Sequence, residues 1–189
     1  LDDIEIIETN YSLSSSDSLR LKVLQGEIYS LQGEFEKALE HIDEFLKSYK
    51  YLGSSLIIFD SLIIKSYILA NIAKIREGFD TLDSSVDVLS GLTANDEENF
   101  ALRKAQLHFH KGLLYEKQQK KKIALEQYLL SLSILRELDN QPGIARSLEA
   151  TARIYFSNCD VIRAQLIFEQ SLEIYKELGN ELKSAFILN

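Results

Sequence analysis

The sequence predicts an all-α protein, a right-handed α-solenoid of four stacked helical hairpins with partial flanking helices. The first observation is a repeat: residues 112–140 match residues 152–180 at an offset of 40, so that Ala124 aligns with Ala164. The second is another match, 86 residues before the third hairpin, where Gly112 aligns with Gly26. The third is composition, because one proline and eight glycines in 189 residues favour helices with short connections. A fixed period of this length is typical of stacked supersecondary units.

The repeat divides the chain into six predicted segments. A leading segment or linker covers residues 1–17, and the start of a fifth repeat covers residues 180–189. Between them lie four repeats, at residues 18–53, 54–95, 96–140 and 141–179. The second repeat is degenerate, and the connection at residues 90–99 explains its greater length.

Each repeat is predicted to form two helices. The first repeat predicts helices near residues 18–31 and 35–50, which separate at Gly33. The second predicts helices near 55–73 and 76–90, and the third near 97–118 and 121–137. In the fourth, apolar residues recur at three- and four-residue steps on both sides of a break at 157–160. Asn140 suits an N-cap, Pro142 a first helical turn, and Gly179 a left-handed C-cap.

Small residues recur in phase along these helices. Gly26 and Gly112 lie in first helices, and Ala38, Ala124 and Ala164 lie in second helices. Alanine is also a good helix former, so helix propensity alone is the alternative explanation. Their fixed spacing instead favours positions where two helix backbones approach closely and a larger side chain would separate them.

These spacings resemble the tetratricopeptide repeat (TPR) family, which places a small residue, an aromatic three later, an alanine nine further on and a bulky apolar residue after four more. The matching sets are Gly26-Tyr29-Ala38-Ile42, Gly112-Tyr115-Ala124-Tyr128, Ala152-Tyr155-Ala164-Phe168 and the weaker Ser66-Leu69-Gly78-Leu82. The usual period is 34, whereas the period of about 40 here resembles a longer-repeat subclass. The resemblance implies protein binding along an inner face lined by the first helix of each hairpin.

The repeat phase also indicates which residues line that inner face. Aromatic residues and arginine are common anchors of protein interfaces. On this basis the candidate partner-binding residues are Tyr67, Phe109, Leu113, Arg146 and Arg153. The alternative is that some of these side chains pack between neighbouring repeats.

Composition and residue spacing disfavour several function classes. A net charge of −8 is unfavourable for binding a phosphate backbone, so nucleic acid is not an expected partner. No apolar run approaches the roughly 18 residues of a membrane span. Cys159 is the single cysteine, which favours a reducing, cytoplasmic location. His108 and His110 lie two residues apart and face different sides of a helix. We therefore expect no catalytic residue, metal or cofactor, and no enzymatic activity.

The expected function is a protein–protein interaction scaffold that binds a peptide or helix segment of a partner in its concave groove. The alternative is a ligand-sensing or regulatory TPR module of a larger signalling or transcription-regulator protein. Residues 186–188 are apolar where the last unit of a solenoid needs a polar cap. Weak self-association through the C-terminal repeat end is therefore a further expectation.

Overall fold

The all-α class is confirmed. The computed structural model describes residues 15–49, 51, 55–91 and 97–180, and these ranges contain helices but no strand. The helices are α1 Ser15–Leu31, α2 Phe35–Ser48, α3 Leu56–Asn71, α4 Ile75–Gly91, α5 Glu97–Lys117, α6 Lys121–Glu137, α7 Gln141–Ser157 and α8 Val161–Glu177. The boundaries predicted for the first six agree to within three residues. Most of the predicted leading segment, residues 92–96 and residues 181–189 lie outside the described residues.

The chain divides into two compact units, Leu1–Thr93 and Ala94–Asn189. In the first unit, α1 packs on α2 and α3 packs on α4, while α3 also contacts both α1 and α2. In the second unit, α5 packs on α6 and α7 packs on α8, while α6 also contacts α7. None of the described helices combines the length and the apolar character that a bilayer span requires.

The turns between helices are fixed by caps and by left-handed residues. The Asn140 side chain accepts a hydrogen bond from the Gly143 backbone N–H at 2.8 Å, and Pro142 lies in the first turn of α7, as predicted. Gly33 and Gly179 have positive φ angles of 81° and 67°. The other described residues with positive φ are not glycine; they are Ala73, Gln119, Asp139 and Cys159.

Helix pairs approach closely at the predicted small residues. A methyl group added at Gly26 would lie 2.5 Å from Ile42 Cδ1, and one added at Gly112 would lie 2.6 Å from Tyr128 Cε1. Ala124 has no exposed surface. The backbones of α1 and α2, and of α5 and α6, are therefore close because these residues carry little or no side chain.

One contact between helices occurs in both units. In the first unit, Ile68 of α3 packs with Ala38 and Ile42 of α2, and Ile64 packs against this cluster. The corresponding residues of the second unit also form a cluster; they are Ala150 and Ile154 of α7 with Ala124 and Tyr128 of α6. All four residues of the second set lie 86 positions after their counterparts, so the sequence repeat is accompanied by a repeated packing contact.

Candidate functional site

The candidate site is a surface of the second unit that we call the α5–α7 face. Phe109, Leu113 and Glu116 are spaced four and three residues apart and so lie on one side of α5. Arg146 and Arg153 lie seven residues, about two turns, apart on α7. Each arginine contacts an α5 residue, and these two contacts join the helices.

The first contact places Arg146 over an aromatic ring. Its guanidinium carbon lies 4.2 Å from the centroid of the Phe109 ring, which is a cation–π geometry. Phe109 is only 8% exposed, and its ring centroid lies 5.3 Å from that of Tyr128. Arg146 itself is exposed. The protein therefore presents a cation at its surface on a ring that core packing holds in place.

The second contact is an ion pair that continues into the interior. Arg153 donates from Nη2 to Glu116 Oε2 at 3.3 Å and from Nη1 to Glu149 Oε1 at 3.1 Å. The Tyr128 hydroxyl donates to Glu116 Oε2 at 2.6 Å, and the Tyr175 hydroxyl donates to Glu149 Oε2 at 3.1 Å. We call these five side chains the buried network. It connects α5, α6, α7 and α8 through hydrogen bonds.

Electrostatics keep the Tyr128 and Tyr175 hydroxyls and the Arg153 guanidinium protonated. Burial raises the pKa of the Tyr128 hydroxyl, and the adjacent Glu116 carboxylate raises it further. Burial and Glu149 do the same to the pKa of Tyr175. Burial lowers the pKa of Arg153, but Glu116 and Glu149 outweigh that effect and raise it overall. At neutral pH both hydroxyls therefore remain donors and the guanidinium remains charged.

The buried network provides an ion pair and a hydrogen bond to the Glu149 carboxylate, whose burial would otherwise destabilise the fold. Glu149 is only 4% exposed. An ionised carboxylate at such a position is destabilising unless it is paired and hydrogen-bonded. Arg153 supplies the charge and Tyr175 supplies a second hydrogen bond.

The two histidines of α5 have different surroundings. His110 is buried, and its burial and the nearby Arg146 hold its pKa well below the ordinary value. His108 Nδ1 instead lies 2.9 Å from Gln127 Oε1. No group of three or more histidine, cysteine, aspartate or glutamate side chains is placed to hold a metal within the residues that the structure describes.

The structure brings together four of the five predicted site residues. Phe109, Leu113, Arg146 and Arg153 all lie on the α5–α7 face, where Leu113 and Arg153 are half-buried. Tyr67 lies in the first unit on α3, is half-buried, and accepts a hydrogen bond at its backbone oxygen from Asn71 Nδ2 at 2.9 Å. Phe109 differs from the expectation of an open groove residue, since its ring belongs to the core and Arg146 lies against it.

Sequence reasoning missed the buried network, although one signal for it was present. Glu149 occupies the same repeat phase as Val23, Ile63 and Phe109, which are all apolar and all buried. A carboxylate at a repeat position that is apolar and buried in the other repeats requires a cation and hydrogen-bond donors nearby. Arg153, four residues later on the same helix, is the cation that this signal could have identified.

Comparison with known proteins provides a structural neighbour but no family. No protein-family model and no curated protein matches the sequence. The structure is similar to the crystal structure of BtubC (BKLC) from P. vanneervenii, with a TM-score of 0.61 at 13% sequence identity. The similarity covers 98% of this chain and 83% of that chain. At this level of identity it is a similarity of fold alone.

Proposed function

We propose that the chain is a TPR-like protein-interaction module, a right-handed solenoid of four hairpins that binds a peptide or helix segment of a partner protein on its α5–α7 face. Support comes from the phased small and aromatic residues, the all-helical fold and the contact that recurs at an offset of 86 residues. Stacked helical repeats provide extended surfaces suited to such binding.

The observation that carries this proposal is the stacking of Arg146 on Phe109. A guanidinium presents several N–H donors in a planar fork. Because Arg146 is already stacked on the Phe109 ring, its side chain loses less conformational entropy when a partner binds. Leu113 lies one turn along α5 from Phe109 and is half-buried, so it offers an apolar side chain on the same side of that helix. A bound segment would place an apolar side chain against Leu113 and a carboxylate or backbone carbonyl oxygen against Arg146.

The test is a selection of binding peptides from a displayed library against the purified chain, followed by affinity measurements on the selected peptides. Arg146→Ala should weaken binding at least about tenfold, which corresponds to about 1.4 kcal/mol. Arg136→Ala is the matched control, because Arg136 is an exposed arginine of the same unit on α6. It should leave the affinity unchanged.

Two measurements make the outcome unambiguous. The circular dichroism spectrum of Arg146→Ala should match that of the unaltered chain, and its free energy of unfolding in urea should fall by only about 1 kcal/mol or less, because the lost side chain is exposed and stacks on Phe109. Unchanged peptide affinity in both Arg146→Ala and Leu113→Ala would place the binding site elsewhere. A small molecule that stabilises the chain strongly in a thermal-shift screen, with no peptide selected, would instead support the ligand-sensing alternative.

A further inference from the structure

The contact repeated in the two units consists of two complementary surfaces. The inserting face belongs to the first helix of a hairpin, and in α7 it consists of Ala150, Ile154 and, at the helix end, Ser157. The receiving face belongs to the second helix of the preceding hairpin, and in α6 it consists of Lys121, Ala124 and Tyr128. At its edge, Lys121 Nζ donates to the Ser157 backbone oxygen at 2.8 Å. The interior of this contact is apolar, and its edge is polar.

α8 carries another receiving face. At the repeat offset of 40, Lys121, Ala124 and Tyr128 correspond to the α8 residues Val161, Ala164 and Phe168. These three residues line an open, mainly apolar cleft of about 330 Å³, together with Phe156, Gln165, Glu169 and Leu172. Tyr128 has no exposed surface, whereas Phe168 is partly exposed and Val161 is 55% exposed. Within the described residues, Val161 and Phe168 of this receiving face are therefore uncovered, while Ala164 between them is buried.

α1 carries another inserting face. The offset between Gly26 and Ala152 is 126 residues, and at this offset Ala150, Ile154 and Ser157 correspond to Leu24, Ile28 and Leu31. These three α1 side chains are 49%, 44% and 76% exposed. Their spacing of four and three residues makes them one apolar stripe on the helix. An exposed stripe of this kind indicates an interaction surface.

We propose that the inserting face of α1 docks into the receiving face of α8 on a second copy of this chain, so that copies associate head to tail. The contact would repeat between molecules the packing that α7 makes on α6 within one molecule. Its occupant is a second copy because this chain itself carries both complementary faces.

The edge of the proposed contact supplies an independent reason. Within the second unit, the edge pairs Lys121 with the Ser157 backbone. In the proposed contact, the corresponding residues are Val161 and Leu31, and both are apolar and more than half exposed. In the proposed contact, Val161 thus takes the place of Lys121 and Leu31 takes the place of Ser157, so that both edge residues are apolar. Burying both side chains favours association through the hydrophobic effect.

Two different faces make the contact heterologous, which determines how the assembly grows. A heterologous contact that does not close into a ring produces open assemblies whose size increases with concentration. An isologous contact between two α8 faces would stop at a dimer. These two cases differ in a mixing experiment.

The experiment uses three variants of the full chain and sedimentation velocity. Ile28→Glu disrupts the inserting face, and Val161→Glu disrupts the receiving face. Ile162→Glu is the control, because Ile162 is the adjacent residue of α8 and is even more exposed, at 77%, yet corresponds to Lys122 outside the internal contact. A glutamate in the first turn of α8 is compatible with the helix dipole.

The proposal predicts a specific pattern at chain concentrations up to about 100 µM. The unaltered chain and Ile162→Glu should form species that grow with concentration, and each disrupted variant alone should remain monomeric. An equimolar mixture of Ile28→Glu and Val161→Glu should form a dimer, because one intact inserting face and one intact receiving face remain. Circular dichroism checks that all variants are folded.

Any other pattern overturns the proposal. If the unaltered chain is monomeric throughout this range, the faces are covered or do not bind each other. If Ile28→Glu alone still associates, the contact does not use the α1 stripe. If the mixture of the two disrupted variants remains monomeric although the unaltered chain associates, the two faces are not partners.

Discussion

The hydroxyl group of Tyr128 provides the most direct test of the buried network. Tyr128→Phe removes the donor that bonds Glu116 Oε2 at 2.6 Å, while it keeps the ring that packs against Phe109. A hydrogen bond to a charged group contributes about 1.5–3 kcal/mol to stability. Tyr128 has no exposed surface, whereas the Glu116 side chain is 25% exposed, so water can hydrate the carboxylate only from its exposed side. We expect the free energy of unfolding of the second unit to fall by about 2 kcal/mol.

Urea unfolding at neutral pH, followed by far-ultraviolet circular dichroism, measures this loss. With a slope of about 2 kcal/mol per molar urea, the midpoint should move down by about 1 M. Tyr155→Phe is the control, because Tyr155 is half-buried and the contact of Arg163, 5.7 Å from its ring centroid, is made with the ring and not with the hydroxyl. It should change the free energy of unfolding by about 0.5 kcal/mol or less. Equal midpoints for the two variants would refute a stabilising role for the network.

Three further predictions concern pH, packing and capping. Because burial, and then a carboxylate, raises the pKa of both Tyr128 and Tyr175 above 10.0, the folded chain keeps two protons that the unfolded chain releases as the pH passes 10.0. The free energy of unfolding should therefore decrease above that pH, and urea titrations should show a smaller decrease for the double variant Tyr128→Phe/Tyr175→Phe. Ala124→Leu should destabilise by about 1–3 kcal/mol because it overpacks a fully buried position, whereas thermal unfolding of Ala101→Leu, at a half-buried position early in α5, should change little. Asn140→Ala should cost about 1 kcal/mol by removing the N-cap of α7, and Asn140→Ser should restore most of it in the same assay.

The helices could be predicted from sequence because their determinants are local. Apolar residues at three- and four-residue steps define each helix, and residues such as Gly33, Asn140 and Gly179 mark where it begins or ends. The close approach at Gly26 and Gly112 could also be predicted, because a small residue that recurs in phase is useful only where there is little space.

The interior of the candidate site could not be predicted to the same depth. Repeat phase indicates which side of α5 Phe109 occupies, but not how far neighbouring helices cover its ring. Glu149 and Tyr175 are 26 residues apart on different helices, and their hydrogen bond depends on side-chain rotamers as well as on helix packing. The sequence pattern therefore predicted which residues share one side of α5, whereas the hydrogen bonds beneath the α5–α7 face depend on how four helices pack together.

The left-handed turn residues have a consequence for the evolution and engineering of this chain. A left-handed conformation costs a residue with a Cβ atom roughly 1–2 kcal/mol. Replacing such a residue by glycine loses only about 0.4–1 kcal/mol through the greater freedom of the unfolded chain. Gln119 and Cys159 are exposed in such turns, outside the α5–α7 face and outside both complementary faces. Stability can therefore be raised or lowered at these turns independently of the surfaces that would select a partner.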